Sequence, residues 1–168
     1  MAYITESRRD NGFFPNFSIA QNMAISRSLK DGGYKGAMGL FHEVDEQRTA
    51  ENQRELLALK CHSVNQNITE LSGGNQQKVL ISKWLCCCPE VIIFDEPTRG
   101  IDVGAKAEIY KVMRQLADDG KVILMVSSEL PEIITVCDRI AVFCEGRLTQ
   151  ILTNRDDMSE EEVMAWAL

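Results

Sequence analysis

The sequence lacks any run of about 18 or more apolar residues, the length that a membrane-spanning helix needs. No apolar core follows the charges near the N-terminus, so the pattern predicts no signal peptide. Histidine is scarce, and neither His42 nor His62 stands at zinc-ligand spacing from a cysteine. From these absences we expect a protein of the cytoplasm without a zinc site.

The six cysteines form no CxxC pair. Cys86, Cys87 and Cys88 are adjacent and lie in an apolar stretch, which is typical of a reducing compartment. A redox or metal role needs exposed thiolates, whereas a buried helix face needs only small apolar side chains. We therefore expect the three cysteines to be buried in a helix.

The chain has fewer basic than acidic residues: 18 Lys and Arg and 25 Asp and Glu, which give a net charge of -7. Nucleic acids and anionic membranes bind basic surfaces. We therefore expect no nucleic-acid partner. The hydrophobic fraction of 45% over 168 residues is enough for a domain with a sizeable core.

Helical patterns dominate the chain before residue 90. The amphipathic segments are 18–28, 43–60 and 75–87. Ser18 can cap the first of them, and four glycines within residues 31–39 predict a flexible connection. We assign residues 1–90 to a largely helical part.

After residue 90 the pattern changes to alternating strands and helices. Apolar runs at 91–94 and 122–126, with a helical pattern between them, predict buried parallel strands. Gly146 marks a hairpin-like turn, and Ser159 stands three residues before Glu162, as in a capping box. The whole pattern predicts an α/β fold with a mostly parallel sheet, of which residues 91–168 form the second part.

The strongest local signal is the run from Leu71 to Gln77, which reads LSGGNQQ. Gly73 and Gly74 at a helix start free backbone amides to approach an anion closely. The Ser72 hydroxyl adds a donor, and the helix dipole favours a phosphate there. Alone, the run also fits an ordinary helix cap with a Gly-Gly turn.

A second signal lies at the end of the apolar run that begins at Val91. A buried strand would deliver Asp95 to its carboxyl end, where ligands bind in open α/β sheets. Asp95 could hold Mg²⁺ through water, and Glu96 could polarise an attacking water. A strand followed by an acidic turn is the plainer alternative.

Together the two signals resemble the ABC ATPase family. Ser72-Gly73-Gly74 is similar to its signature motif, Val91 to Glu96 to its Walker B strand with the catalytic Glu, and Gly100-Ile101-Asp102 to its D-loop. The resemblance implies a partial cassette of the P-loop NTPase type. The implied nucleotide-binding residues are Ser72, Gly73, Gly74, Gln76, Glu6, Asp95, Asp102 and Ser128. ATP and Mg²⁺ are the implied cofactors, with Asp95 and Glu6 near the metal and Glu96 as the catalytic base.

Three departures from the family pattern stand out. The phosphate-binding motif GxxxxGK[ST], Walker A, does not occur in the 168 residues, as expected for the C-terminal portion of a cassette. Glu6 stands where the family's Q-loop has Gln, and Ser128 stands where its switch has His. Serine supplies no cation to the γ-phosphate, and a carboxylate cannot donate as an amide can.

The runs 75–78, 97–105 and 127–132 are similar to the second cassette of bacterial monosaccharide importers for ribose, xylose, galactose and allose, with the allose type most similar. The resemblance implies that ATP hydrolysis drives sugar uptake under the inner face of the cell membrane. The implied partners are a first cassette in the same polypeptide, a membrane permease contacted by residues 10–60, and a periplasmic sugar-binding protein. Two alternatives stay open: a soluble ABC-type ATPase of DNA repair or translation, and a non-catalytic fragment.

Overall fold

The computed structural model describes residues 1–7, 12–31 and 43–167, and these form two compact units, 1–124 and 125–168. The glycine-rich connection predicted within residues 31–39 lies, apart from its first residue, outside the described part of the chain. Each unit is described by itself below. The mixture of helices with a parallel strand pair confirms the predicted α/β class.

One sheet has three strands, β1 (Ala2–Ile4), β2 (Val91–Asp95) and β3 (Val122–Val126), with β2 in the middle. The boundary between the two units falls within β3, after Leu124. β1 runs parallel to β2, with Ala2 opposite Ile92 and Ile4 opposite Phe94. Sequence analysis did not identify β1, because three residues are too few to show an alternating pattern.

The helical part contains α1 (Ile19–Asp31), α2 (Glu43–Leu56) and α3 (Gly73–Leu85), with a 3₁₀ turn at Ile68–Glu70 before α3. Ser18 caps α1 as predicted, because its hydroxyl accepts from the amide of Gln21 at 3.2 Å. The apolar core between these helices includes Ile19, Met23, Ile68, Val79 and Leu80. This core fixes the start of α3, on which the signature-like residues lie.

The predicted helix after the D-loop-like residues is α4, which spans Val103–Asp118 and presents Ile109, Met113 and Leu116 to the interior. Gly120 follows it with φ of +83°, a conformation that favours glycine at a helix end. The segment from Asp95 to α4 is therefore anchored at both ends, by the sheet and by a buried helix.

The burial of the strands differs from the prediction. β2 buries Ile92 and Phe94 on one face only, and β3 leaves Val122 and Leu124 more than half exposed, at 54% and 53%. The prediction of two fully buried strands was therefore wrong. An apolar run indicates that a strand can be buried on both faces. Whether each face is buried depends on another segment packing against it, which the run itself does not predict.

The second unit contains α5 (Leu130–Val136), β4 (Arg139–Cys144), β5 (Arg147–Thr153) and α6 (Glu160–Met164). β4 and β5 form the predicted antiparallel hairpin, and Glu145 and Gly146 turn between them with positive φ. Ser159 caps α6 through the amide of Glu162, as predicted.

The cysteine run is buried only in part. Cys86 is buried, Cys87 is intermediate and Cys88 is exposed, because α3 ends at Leu85 and Cys88 takes a positive φ of 48° that leads the chain out of the helix. Burial raises the pKa of the Cys86 thiol to about 11. The expectation of burial holds for the first cysteine and was wrong for the last.

Candidate nucleotide site

The signature-like residues form the N-terminus of α3. Ser72 occupies the N-cap position in extended conformation, yet its side chain makes no capping hydrogen bond to the helix backbone. Gly74 is buried against α4, and a Cβ atom there would lie 2.5 Å from the Cβ of Ala105. The turn therefore combines an exposed hydroxyl with a backbone pressed against the helix that follows the D-loop-like residues.

Ser72 belongs to a chain of hydrogen bonds. The Asn75 amide nitrogen donates to Ser72 Oγ at 2.9 Å, and Asn75 Oδ1 accepts from the backbone N–H of Lys60 at 3.0 Å. Sequence analysis included Asn75 in the motif but assigned it no role in the site. Its proximity to Ser72, three residues apart at a helix start, was the available signal.

Glu108 on α4 binds two lysines, Lys78 on α3 and Lys60 in the connection between α2 and α3. Lys78, almost fully buried, donates to Glu108 Oε2 at 2.9 Å and to the carbonyl of Ala58 at 2.9 Å. Lys60 is exposed and reaches Glu108 Oε1 at 3.0 Å. The hydrogen bond from Lys78, followed by that from Lys60, lowers the pKa of the Glu108 carboxyl. No local pattern connects residues so far apart in sequence, so Glu108 was not predicted.

Gln76, expected among the nucleotide contacts, is buried instead. Its side-chain nitrogen donates to the carbonyls of Leu71 and Ile68, at 3.1 and 3.4 Å, on the turn that leads into α3. Its donor hydrogens are thus used inside the protein. These bonds shape the turn, and a contact between Gln76 and a nucleotide stays a prediction.

Asp95 lies at the carboxyl end of β2, where the sequence predicted it. The phenol of Tyr3, on the neighbouring strand β1, donates to Asp95 Oδ2 at 2.5 Å. This hydrogen bond raises the pKa of Tyr3. The parallel pairing of β1 with β2 brings the two side chains together, and sequence analysis missed Tyr3 because it missed β1.

The residues after β2 form a tight, well-anchored turn. Glu96 has a positive φ of 48°, which is uncommon for a residue other than glycine and is found at functional sites. Thr98 and Ile101 are buried, and Asp102 caps α4 by accepting from the amide of Ala105 at 3.0 Å. Ala105 thus connects two predicted motifs, because its amide bonds Asp102 and its methyl group packs on Gly74.

Glu6 and Ser128, the two departures from the family pattern, are both exposed. The Glu6 carboxylate forms an ion pair with Arg99 in the turn that follows β2. Ser128 lies two residues after the end of β3 and belongs to the second unit, where the neighbouring Ser127 hydroxyl donates to Glu132 at 3.0 Å. Arg99, which sequence analysis had read only as part of a motif, is thus the partner of Glu6.

The profile of the family described as ABC transporter matches residues 1–99, which is more than half of the chain. The chain belongs to the ABC transporter family. The matched range contains the α3 start and the end of β2, so it includes Ser72, Asp95 and Glu96. The α/β architecture with a partial cassette, expected from the resemblance, agrees with this membership.

Curated relatives within the ABC transporter family include importer subunits. The chain is 99% identical over 168 residues to the D-allose import ATP-binding protein AlsA of Escherichia coli (strain K12). It is 46% identical to a ribose import ATP-binding protein RbsA of Bacillus cereus and 47% identical to the L-arabinose transport ATP-binding protein AraG of Geobacillus stearothermophilus. These matches cover 100%, 99% and 98% of the chain, which spans about a third of each relative's length, at 33%, 33% and 31%.

Solved ABC transporter structures share the fold. The dimeric structure of a bacterial ABC transporter cassette matches with a TM-score of 0.72 at 22% identity, over 92% of this chain and 63% of that one. A dimeric ATP-binding cassette in a post-hydrolysis state, bound to ADP and Pi, matches over the same shares at 22% identity and a TM-score of 0.71. Within residues 1–7, 12–31 and 43–167, every helix is too short or too polar to cross a membrane.

Proposed function

We propose that this chain is the signature-bearing part of the ATP-binding subunit of a bacterial monosaccharide importer. The observation that carries the proposal is the 99% identity, over all 168 residues, to a D-allose import ATP-binding protein. The proposed activity of the whole protein is ATP hydrolysis coupled to monosaccharide uptake, with D-allose as the sugar. The proposed location is the cytoplasmic face of the membrane, where the subunit would bind a permease that receives sugar from a periplasmic binding protein.

The start of α3 is proposed to complete an ATP site with another cassette. In the family, two cassettes pair head to tail, and each ATP lies between the Walker A loop of one and the signature of the other. The exposed Ser72 hydroxyl and the close approach of Gly74 to Ala105 suit this role, because they leave the first turn of α3 with donors and without a bulky side chain. The Walker A loop for this site would come from the first cassette.

Asp95 and Glu96 are proposed to serve the opposite site of the same pair. Asp95 Oδ2 accepts from Tyr3, and among the described residues Oδ1 has no hydrogen-bond donor, so it can hold a water of a Mg²⁺ ion. Such an ion neutralises charge on the phosphates when bound. Glu96 would orient the attacking water, while Glu6 and Ser128 replace the Gln and His that the family places there. We therefore propose that this site turns over more slowly than the first.

The loop before α1 is proposed to contact the permease. The Asn22 amide is buried and fixes this loop, since it accepts from the amide of Phe14 at 2.8 Å and donates to the carbonyls of Phe14, Phe17 and Ser18. Phe14 is half-exposed and stacks on Phe17. A cavity of about 400 Å³ next to the loop is lined by polar side chains, among them Asn16 and Gln21. A rigid loop with an exposed aromatic suits docking of a short permease segment within the predicted range 10–60.

The proposal also divides the work at residue 90. Residues 1–90 would supply the Q-loop region, the helical part and the signature, and residues 91–168 the Walker B, D-loop and switch elements. The hydrogen bonds from Lys60 and Lys78 to Glu108 join these two parts, and residue 90 lies inside the compact unit 1–124, so the proposed division is one of roles and not of separate folding units.

An exchange experiment tests the proposed function. The corresponding third of E. coli AlsA is replaced by these 168 residues, and uptake of radiolabelled D-allose is measured in cells that lack their own allose ATP-binding protein. We expect uptake close to that of the unaltered relative. The matched control carries Ser72→Arg, which should abolish uptake because a long cation would fill the phosphate space.

The outcomes separate the parts of the proposal. Uptake of ribose but not allose would overturn the sugar assignment and leave the importer assignment in place. Failure of the exchanged protein to take up any monosaccharide, although it folds and reaches normal levels, would overturn the importer assignment.

A further inference from the structure

We propose that Asn75 is a positioning residue that turns the Ser72 hydroxyl hydrogen towards the terminal phosphate of ATP. The inference rests on the proposed function, in which the start of α3 contacts that phosphate. Its structural basis is the hydrogen-bond chain from Lys60 through Asn75 to Ser72, which has a fixed direction.

The direction is set by the backbone amide of Lys60. An N–H group can only donate, so the Asn75 atom that faces it at 3.0 Å must be the side-chain oxygen. The nitrogen of the same planar amide then faces Ser72 Oγ at 2.9 Å. The two contacts together fix which way the Asn75 amide points.

The consequence falls on the hydroxyl of Ser72. Its oxygen receives a hydrogen bond from Asn75, so its own hydrogen must point elsewhere. In the described part of the chain the Ser72 hydroxyl donates to no other group, and the side chain is exposed. The O–H is thus held as an unused donor at a helix start. A phosphate oxygen, which can only accept, is the chemistry that this donor fits.

Without Asn75, a different arrangement becomes available to Ser72. Serine at an N-cap position ordinarily accepts from a backbone amide of the first turn, and Ser72 makes no such bond here. The contact with Asn75 uses one of the two lone pairs of the serine oxygen and holds the side chain away from that capping geometry. Removing the Asn75 side chain would therefore let the hydroxyl rotate towards the helix and away from a ligand.

Lys60 also connects this arrangement to α4. Its backbone holds Asn75, while its Nζ donates to Glu108, which a second lysine, Lys78, also binds. Glu108 lies one turn after Ala105, the residue packed on Gly74. Through Lys60 and Glu108 the Ser72 hydroxyl is therefore connected to α4, whose N-cap is the D-loop-like Asp102, and not to a free loop.

A double-mutant cycle tests the inference in the full two-cassette protein. The variants are Ser72→Ala, Asn75→Ala and the pair together, and kcat and KM for ATP are measured with equilibrium binding of a fluorescent ATP analogue. We expect Ser72→Ala to lower kcat/KM by about 10-fold, from the loss of one charge-assisted donor. Asn75→Ala should lower both kcat/KM and analogue affinity several-fold, and should add less than about 2-fold in the Ser72→Ala background.

Gln115→Ala is the matched control, because it removes an amide that donates to the carboxylate of Asp119 on the exposed side of α4. It should leave turnover and affinity unchanged. Asn75→Asp is the second variant if Asn75→Ala destabilises the protein. Asp keeps the acceptor for Lys60 and suits a first helical turn, but replaces the donor to Ser72 by a second acceptor. Its loss of affinity should be larger with Ser72 present than in the Ser72→Ala background.

The outcomes distinguish this inference from the function on which it rests. If Ser72→Ala leaves turnover and affinity unchanged, the placement of Ser72 at the active phosphate is wrong. If Ser72→Ala is costly but the Asn75 variants are fully additive with it, Asn75 does not act through the hydroxyl and the positioning role is overturned. An equal fall of the thermal midpoint in both Asn75 variants, with additive kinetics, would identify a purely structural residue.

Discussion

Gly74 and Ala105 pack so closely that a methyl group on Gly74 would lie 2.5 Å from the Ala105 Cβ. The signature-like turn and the helix after the D-loop-like residues are thus in direct contact, with no space for a side chain between them. Glycine is required at position 74 because of this close contact. A left-handed backbone is not the reason, since Gly74 has no positive φ.

Gly74→Ala is expected to destabilise the protein by about 1–3 kcal/mol, because overpacking must push α3 and α4 apart. Chemical denaturation measures the change in unfolding free energy. Gly104→Ala is the control, since a Cβ there meets only Asp102 Oδ1 at 3.4 Å and alanine favours a helix. The reading of the contact would be wrong if the two variants were equally stable.

Glu108 and Lys78 supply a second test of the junction between α3 and α4. Glu108→Gln should destabilise the protein by about 1–3 kcal/mol, because it leaves the charge of Lys78, buried at 3% exposure, without its carboxylate, although the Glu108 side chain is 39% exposed. Lys60→Ala removes only an exposed partner at 75% exposure and should cost less than about 1 kcal/mol.

The same pair predicts a pH dependence. The pKa of Glu108 is lowered by the hydrogen bonds from Lys78 and Lys60, so the folded protein holds this carboxylate ionised more strongly than the unfolded chain does. Its contribution is complete above the carboxyl's ordinary pKa, near pH 4.5, and is lost as the pH falls through the lower folded value. Unfolding free energy measured from pH 6 to pH 3 should fall less steeply in Glu108→Gln. Equal slopes would contradict the assignment.

Features that depend on residues close together in the sequence were predicted, and features that depend on contacts between distant segments were not. The caps at Ser18 and Ser159 and the turn at Gly146 are decided within a few residues, and all three are confirmed. Strand β3 was located to the residue for the same reason. Its exposed Val122 and Leu124 were not foreseen, because burial is decided by whichever segment packs on the strand.

The candidate site shows the same division. Local order and spacing were enough to select Ser72 and Asp95 as candidates, whereas the residues that bind them in the fold were not predicted. Tyr3 stands 92 residues from Asp95, and Lys78 stands 30 residues from Glu108. Strand order and helix packing bring such pairs together. The periodicity of a single sequence predicts helices and strands but does not predict which of them will be neighbours.

The cysteine run predicts a selective chemical reactivity. Cys86 is buried and its pKa is raised to about 11 by burial, so its thiolate is scarce below that pH, whereas Cys88 is exposed. Iodoacetamide should modify Cys88 first and Cys86 last, as followed by mass spectrometry of the native protein. In the denatured protein all three should react at similar rates, and early labelling of Cys86 in the native state would contradict its burial.

Stability should also decline at alkaline pH because of Cys86. Its folded pKa of about 11 lies above the ordinary value of 9.0, so the folded state retains the proton longer than the unfolded state. The contribution is complete below pH 9 and is lost between pH 9 and pH 11, to a total of about 2–3 kcal/mol. Cys86→Ala should flatten this part of the curve.

The order of two substitutions tests which ATP site the signature serves. In the full two-cassette protein, Ser72→Arg should damage ATP hydrolysis more than Glu96→Gln does. A long cation at Ser72 would fill the phosphate space of the proposed intact site, whereas Glu96 would serve the site that contains Glu6 and Ser128 in place of Gln and His. Steady-state turnover measures the order, and the reverse order would mean that the active site has been assigned to the wrong cassette.

The 168-residue chain alone should hydrolyse no ATP and bind it only weakly. The motif GxxxxGK[ST] does not occur in it, so the amides and lysine that make most phosphate contacts in this family are not supplied by these residues. The donors at Ser72 would contact a single phosphate, and one charge-assisted hydrogen bond contributes about 1.5–3 kcal/mol. A dissociation constant of about 1 mM already requires about 4 kcal/mol.

Calorimetric titration of Mg-ATP should therefore give millimolar affinity or weaker, and Ser72→Arg should change it little. Micromolar binding would mean that the described residues contain a phosphate site other than the start of α3.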